Sequence, residues 1–245
     1  MIPIITGQLT LTHKSEVAVD TVKLRFSFSN LKTLTGEPHH ENFNFAPGQF
    51  VSIGFSATAW RAYSIASTNQ EKELELVVRL VEDGVGSEAF KAAEIGTSFE
   101  FKGPFGHFQL SKNENAHLVF CATGTGIAPF RAMVKAEQSA ANPRPMTLLY
   151  GGKNADDLAY LDEANSWSPH LNIQLGLSRD PDLKIPDCLK CETQNCRITQ
   201  LLDNLDYTDD LEFYLCGNGA MVKSVQEILE AKEVSKEKIF MERFN

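Results

Sequence analysis

The hydrophobic and polar positions divide the chain into two halves with different predicted secondary structure. Up to about residue 110, short segments such as 21–28 and 73–80 carry hydrophobic side chains at alternate positions or are rich in β-branched residues. Both patterns are typical of β-strands. A single helix is predicted near 87–93, with Ser87 in the N-cap position. Many short strands with one helix predict an antiparallel β-barrel.

After about residue 111 short apolar runs alternate with helical stretches. The predicted strands are 118–122, 146–150, 172–177 and 212–216, and the predicted helices lie near 129–140, 156–165, 198–204 and 219–231. This alternation predicts βαβ units around a doubly wound parallel sheet, which binds ligands at the carboxyl ends of its strands. We therefore predict a β-barrel domain over 1–111 and an α/β domain over 112–245.

Composition and charge narrow the functional class. The 245 residues are 42% hydrophobic and 22% charged, which is typical of a globular protein, and the net charge of −9 argues against a general nucleic-acid binder. No apolar run approaches the roughly 20 residues that span a bilayer, and no secretory signal is visible. An odd number of cysteines, five, argues against a disulfide framework. We expect a cytoplasmic monomer.

The strongest candidate for a ligand site is the segment from Gly124 to Pro129, Gly-Thr-Gly-Ile-Ala-Pro, which follows a predicted strand and begins a helix. Glycines let a backbone turn sharply beside a diphosphate, and the helix N-terminus offers N–H donors. Pro129 suits a first helical turn, although it stands where the usual dinucleotide pattern has a third Gly or Ala. An ordinary strand-to-helix turn gives the same pattern.

Two further candidates lie in the first half. Arg61-Ala62-Tyr63-Ser64 places a guanidinium, an aromatic ring and a hydroxyl on one predicted strand, where they could bind a diphosphate and line a flat ring. Gly84-Val85-Gly86-Ser87 is a second glycine turn before a short helix. Alone, the first also fits an exposed amphipathic strand, and the second fits a simple helix start.

Taken together, these segments give the chain a resemblance to the ferredoxin–NADP reductase superfamily over nearly its whole length. Six motifs occur in the family's order: Arg61 to Ser64, Gly84 to Ser87, Gly103-Pro104-Phe105-Gly106, Gly124 to Pro129, Tyr150-Gly151 and Cys216-Gly217-Asn218-Gly219. Pro129 in place of the third glycine is the family's own form. The resemblance implies an FAD-binding barrel and a nicotinamide-nucleotide domain.

In the barrel, the resemblance implies that Arg61 neutralises the FAD diphosphate with help from Ser87. Tyr63 would pack beside the isoalloxazine ring, and Ser64 would lie close to its reactive N5 atom. The flavin-binding residues implied in this way are Arg61, Ala62, Tyr63, Ser64, Val78, Arg79, Gly84, Val85, Gly86 and Ser87.

In the second domain, the resemblance implies that the backbone of Gly124 to Gly126 holds the diphosphate of the nicotinamide nucleotide. Cys216 would lie near the nicotinamide C4, and Phe244, in the ending Glu242-Arg243-Phe244, would cover the flavin. The nucleotide-binding residues implied in this way are Thr123, Gly124, Thr125, Gly126, Pro129, Tyr150, Ser178, Arg179, Cys216, Gly217, Asn218 and Phe244, and the implied catalytic residues are Ser64, Cys216 and Glu242.

The choice between NADP and NAD depends on Ser178 and Arg179, directly after a predicted strand. A hydroxyl and a guanidinium there favour the 2′-phosphate of NADP(H), with Lys184 in support. An exposed polar strand end gives the same pattern, so NAD(H) remains open. Cys188, Cys191 and Cys196 approach a metal-ligand spacing, but they lack a local fourth ligand, and we predict no metal site.

These features predict an FAD-dependent oxidoreductase that transfers hydride between NADP(H) and FAD and single electrons to or from a protein carrier such as ferredoxin or flavodoxin. One alternative is the NADH-dependent reductase component of an oxygenase or another multi-protein system. A regulatory or electron-bifurcating subunit, whose cysteine cluster docks a metal centre, is a hypothesis from a different class.

Overall fold

A computed structural model describes residues 2–164, 166–167, 169, 171–180, 182 and 191–244. Its contacts group the chain into two units. The first comprises residues 1–110 together with 131–133, and the second comprises residues 111–130 together with 134–245.

The first unit is built on an antiparallel sheet. Its strands, within the described residues, are β1 (Ile5–Ala18), β2 (Thr21–Thr33), β3 (Phe50–Gly54), β4 (Trp60–Ser64), β5 (Leu74–Arg79) and β6 (Ser98–Phe105), in the order β4-β3-β6-β1-β2-β5. Along β1 and β2, alternate side chains such as Leu9, Leu11, Leu24 and Phe26 are fully buried, because successive residues of a strand face opposite sides of the sheet. Just beyond β4, the Ala66 N–H donates to the Glu75 carbonyl of β5 at 2.8 Å. The two edge strands therefore meet, and the predicted barrel is confirmed.

Helix α1 (Val85–Ala92) packs against this barrel. Its Phe90 is fully buried and makes edge-to-face contacts with Phe55, Tyr63 and Phe99, with ring centroids 5.2–5.4 Å apart. The prediction of Ser87 as N-cap is wrong, since Gly84 is the N-cap. Ser87 lies inside the helix, and its Oγ accepts a hydrogen bond from the Val81 N–H at 2.9 Å. A serine near the start of a helix has the sequence signature of an N-cap, although the hydroxyl of this serine binds the preceding loop instead.

The C-terminal end of α1 is held by a lysine from β1. Lys14 Nζ donates to the carbonyls of Phe90, Lys91 and Ala93 at 2.7, 2.8 and 3.1 Å. A cation is favourable there because the carbonyls at a helix C-terminus lack helical partners and carry partial negative charge.

We expect Lys14→Met to remove about 1–2 kcal/mol of local stability. The α1 amides should then exchange hydrogen about five- to thirtyfold faster, and Lys32→Met, at an exposed lysine of β2, should leave their exchange unchanged.

The second unit is built on a parallel sheet. Its described strands are β7 (His117–Thr123), β8 (Met146–Gly152), β9 (Leu171–Leu177), β10 (Glu192–Gln194), β11 (Leu211–Asn218) and β12 (Ile239–Phe244), in the order β10-β9-β8-β7-β11-β12. Its described α-helices are α2 (Ile127–Gln138), α3 (Leu161–Ala164), α4 (Ile198–Leu201) and α5 (Gly219–Ala231). No helix among the described residues is long and apolar enough to cross a membrane.

Helices cover both faces of this sheet. On one face, Val119 and Leu215 pack with Leu201 of α4 and Val222 of α5. On the other, the ring of Phe120 lies 4.9 Å from that of Phe130 of α2. Strands that are buried on both faces by helices have continuous apolar sequences. For this reason four of these strands could be predicted from the sequence. The doubly wound arrangement is confirmed.

Three elements of this unit differ from the sequence-based prediction. The helix predicted near 156–165 is a 3₁₀ turn at Ala155–Asp157 and the short α3, separated by Tyr160 with φ +67°. Strand β10, with the polar sequence Glu-Thr-Gln, and strand β12, which contains the ending Glu242-Arg243-Phe244, are not among the predicted strands. A central parallel strand is recognised by a run of about four or more apolar residues, whereas β10 has none and β12 has only the three from Ile239 to Met241.

Candidate flavin and nucleotide sites

The motif Arg61 to Ser64 lies on β4, an edge strand of the barrel. Arg61 is exposed, and its guanidinium donates to the carbonyl of Trp60 at 2.9 Å. Tyr63 is half-buried and packs edge-to-face against Phe55 and Phe90. Ser64, at the end of the strand, is buried. The motif therefore passes from an exposed cation at one end to a buried hydroxyl at the other.

The second glycine motif is adjacent to this strand. A Cβ placed on Gly86 would collide with the Tyr63 hydroxyl and lie 3.1 Å from the ring of Phe55. Only glycine therefore allows the first turn of α1 to approach β4 this closely. The arrangement places the N-terminus of α1, which has no side-chain cap, near the strand that carries Arg61. Both features favour a bound anion.

Burial raises the pKa of Tyr63 to about 12, against a smaller opposite effect of the Arg61 charge. The phenol is therefore protonated at neutral pH and able to donate a hydrogen bond. Of the other residues predicted for this site, Ala62 and Arg79 are exposed, whereas the side chain of Val78 belongs to the barrel core. Any contact of Val78 with a ligand would have to use its backbone.

In the second unit, Gly124–Gly126 form a 3₁₀ turn that leads directly from β7 into α2. A Cβ on Gly126 would collide with the carbonyl of Cys216, and one on Gly217 would lie 2.6 Å from the carbonyl oxygen of Thr123. The backbones that follow β7 and β11 therefore touch. Pro129 lies in the first turn of α2, as predicted from the sequence.

Several residues predicted to bind the nucleotide hold this turn in place. The Tyr150 hydroxyl donates to the Gly124 carbonyl at 3.0 Å and accepts from the Ala159 N–H at 3.1 Å. Thr123 Oγ1 accepts from the Asn218 N–H at 3.2 Å, while the Asn218 side chain caps α5 through the Ala220 N–H at 2.9 Å. Tyr150 is only 2% exposed, so its direct role is to support the turn.

The sheet order explains why these residues meet. From β7 the chain builds β8, β9 and β10 to one side and β11 and β12 to the other, so the order reverses between β7 and β11. Ligands of open α/β sheets bind at such a switch point, outside the carboxyl ends of the strands. The Gly124–Gly126 turn and Cys216-Gly217 both lie at that point.

Cys216 is fully buried and is paired in register with Glu242 of β12. Burial raises the pKa of its thiol well above the usual value, and the charge of Glu242 adds to the effect. The thiol is therefore neutral, which excludes an ordinary role as a thiolate nucleophile. Phe244 is half-buried at the carboxyl end of β12, beside Asn218 in register.

Ser178 and Arg179 follow β9 and have exposed side chains. Both the amide and the hydroxyl of Ser178 donate to the Gly152 carbonyl, at 3.0 and 3.2 Å. The Arg179 amide donates to the carbonyl of Lys153 at 2.8 Å. Lys153, an exposed cation directly after β8, was missed in the sequence although its position after a predicted strand was a usable signal. Lys184 lies outside the described residues.

The cysteine cluster is only partly described, because Cys188 lies outside the described residues. Cys191 and Cys196 are half-buried free thiols, and burial raises the pKa of both. Within the described part of the chain, no group of three or more His, Cys, Asp and Glu residues is arranged to hold a metal ion.

Two family models match the chain: an oxidoreductase FAD-binding domain over residues 8–110 and an oxidoreductase NAD-binding domain over residues 120–227. Methane monooxygenase component C of Methylosinus trichosporium is 35% identical over 144 residues, which are 57% of this chain and 42% of that protein. Ferredoxin–NADP reductase B of Sorangium cellulosum is 33% identical over 144 residues, 56% of this chain and 59% of that protein. The chain thus matches about half of each relative's length.

Among solved structures, the ferredoxin–NADP⁺ reductase of Neisseria gonorrhoeae with bound FAD and NADP has the same fold. Its TM-score is 0.78 at 22% sequence identity, and the match covers 97% of this chain and 98% of that chain. The two family models account for both units, in the order expected from the six motifs. The chain therefore belongs to the ferredoxin–NADP reductase superfamily of FAD- and NAD(P)-binding oxidoreductases.

Proposed function

We propose that the protein is an FAD-dependent oxidoreductase that transfers hydride between NADP(H) and FAD and exchanges single electrons with a protein carrier such as ferredoxin or flavodoxin. The observation that carries the proposal is the convergence of the Gly124–Gly126 turn, Cys216-Gly217 and Tyr150 at the switch point of the parallel sheet. The FAD- and NAD-binding models support it. We also propose that the FAD domain spans 1–111 and the nucleotide domain 112–245, and that the protein is a cytoplasmic monomer.

The residues of the barrel fit an FAD site. Arg61 would neutralise the diphosphate, and the N-terminus of α1 at Gly84 to Ser87 would donate N–H groups to it. The Ser87 oxygen accepts a hydrogen bond from the Val81 N–H. This bond does not use the hydroxyl hydrogen, which could therefore be donated to the diphosphate. Tyr63 would line the ring and Ser64 would lie near its reactive edge. When bound, FAD supplies the exchange between hydride and single-electron transfer.

The residues at the switch point fit a nicotinamide nucleotide. The N–H groups of Gly124 to Gly126 at the start of α2 would bind the diphosphate. Ser178, Arg179 and Lys153, all exposed at the carboxyl ends of β8 and β9, would bind a 2′-phosphate. The neutral thiol of Cys216 would pack beside the nicotinamide. The carboxyl group of Glu242 would lie near the reacting atoms.

A second candidate function is the NADH-dependent reductase component of an oxygenase. The similarity to methane monooxygenase component C favours it. The two functions differ in nucleotide and in electron acceptor. A protein with the second function would not prefer NADPH, which carries the 2′-phosphate, over NADH.

The purified protein tests both functions through its visible spectrum during anaerobic addition of NADPH and NADH in parallel. A flavin band bleached faster by NADPH supports the proposed function, and faster bleaching by NADH supports the oxygenase-type function. Reduction of added ferredoxin or flavodoxin then identifies the acceptor class. A protein that binds no FAD and oxidises neither nucleotide would contradict both functions.

Phe244 offers a separate test of the nicotinamide site. If its ring covers the flavin, the nicotinamide must displace it, and this competition lowers the apparent affinity. We expect Phe244→Ala to tighten NADP⁺ binding by about tenfold, measured by titration of the flavin difference spectrum. Arg243→Ala, at the exposed neighbouring position, should leave the affinity unchanged. Unchanged affinity in Phe244→Ala would place the chain end away from the nicotinamide.

A further inference from the structure

Arg131 is a buried cation that lies outside the six sequence motifs. It lies on α2, but its contacts group it with the first unit, and its side chain is only 1% exposed. Arginine in a helix is ordinarily a surface residue, and a buried charge needs compensation by opposite charge and hydrogen bonds. The structure provides both.

The compensating groups are two glutamates of the barrel. Arg131 Nη2 donates to Glu71 Oε1 at 2.9 Å, and Nε lies 3.4 Å from Glu75 Oε1. Glu75 also accepts from Arg25 Nε at 2.7 Å. Two cations and two anions therefore balance. Because Arg25 still pairs with Glu75 when Arg131 is removed, and Glu71 is 27% exposed, loss of Arg131 leaves no buried charge without compensation.

The third acceptor of Arg131 is a backbone group beside the flavin motif. Nη1 donates to the Ala66 carbonyl at 2.7 Å, two residues after Ser64. A guanidinium offers donors in a fixed planar arrangement, so one side chain can bind this carbonyl and both glutamates together.

The same two glutamates fix the neighbouring residues. The Glu75 N–H donates to Ser67 Oγ at 2.9 Å and the Glu75 carbonyl accepts from the Ala66 N–H at 2.8 Å. Glu71 Oε2 accepts from the Thr68 N–H at 2.7 Å. Each residue from Ala66 to Thr68 is therefore bonded to Glu71, Glu75 or Arg131, and this segment anchors the end of β4.

We infer that Arg131 is a positioning residue of the flavin site: with Glu71 and Glu75 it fixes Ala66, and thereby the end of β4 that carries Tyr63 and Ser64. The inference rests on the proposed placement of FAD along β4. A site that must hold a flat ring in one orientation needs such support, because small displacements of the contacting residues weaken binding.

The test compares Arg131→Met with Arg144→Met in the full chain. Arg144 is the matched control, since it is also a buried arginine paired with a glutamate, Glu137, but lies in the second unit. We expect Arg131→Met to raise the FAD dissociation constant about tenfold or more, to alter the visible circular dichroism of bound flavin, and to speed amide exchange at 65–68. Arg144→Met should leave all three at the wild-type value.

Two further variants keep the test decisive if Arg131→Met does not fold. Arg131→Lys keeps the charge but loses the fork, and Glu71→Gln weakens one partner, so both should shift FAD affinity in the same direction by a smaller factor. Wild-type FAD affinity in every Arg131 and Glu71 variant, or an equal loss in Arg144→Met, overturns the inference and leaves the proposed function intact. A wild-type protein that binds no FAD overturns both.

Discussion

Gly126→Ala is expected to lower the stability of the second unit by about 3 kcal/mol and to weaken nucleotide binding. The new Cβ would collide with the carbonyl of Cys216 and lie 2.7 Å from Cα of Gly217. These are backbone atoms of β11, which is paired with β7 on one side and β12 on the other, so they cannot move aside as a side chain would. The start of α2 must shift instead, and with it the N–H groups proposed to bind the diphosphate.

The conformation of Gly126 is ordinary, with φ −61°, so the expected loss comes from space and not from backbone strain. Gly219→Ala is the matched control, because its Cβ would meet only the Phe244 carbonyl oxygen at 3.9 Å. Calorimetry gives the stability, and titration with NADP⁺ should show at least about tenfold weaker binding in Gly126→Ala. Nucleotide affinity equal to that of the control would show that the diphosphate binds elsewhere.

The double variant Ser178→Ala/Arg179→Ala is expected to raise the dissociation constant for NADPH about ten- to a hundredfold, because hydrogen bonds to a charged group contribute about 1.5–3 kcal/mol. NADH lacks the 2′-phosphate, so its dissociation constant should change less than about twofold. The lost bond from Ser178 Oγ to Gly152 affects both nucleotides alike. NADH is therefore an internal control for any local disturbance.

Lys223→Ala tests whether loss of any positive charge from the second unit has the same effect. Lys223 is exposed on α5, where it pairs with Glu227 at 3.7 Å, and its removal should leave the ratio of the NADPH and NADH constants unchanged. If the double variant weakens both nucleotides equally, the case for a 2′-phosphate site at these residues is lost. Lys153→Ala, added to the double variant, would then have no further effect on the ratio.

The sequence alone determined the central strands of the second unit and the position of its turn. Strands β7, β8, β9 and β11 are continuous apolar runs because both faces of a parallel sheet are covered, and α5 spans the predicted 219–231. The glycine turn after β7 was recognisable because its signal, a strand followed by glycines and a helix, is local. The β-barrel class was predictable for the same reason, because hydrophobic side chains at alternate positions in short segments are also a local signal of β-strands.

The features that only the tertiary structure revealed are mainly contacts between residues that are distant in the chain. The closeness of Gly86 to Tyr63 and of Gly126 to Cys216 follows from how strands and helices pack, and glycine has no side chain to signal it. One local contact also differs from the prediction: Ser87 Oγ accepts a hydrogen bond from the Val81 N–H before the helix, and not from an N–H of the first helical turn as a cap would. The burial of Arg131 among Glu71, Glu75 and Ala66 was invisible, because a charged residue in a helix is compensated only where folding brings opposite charges to it.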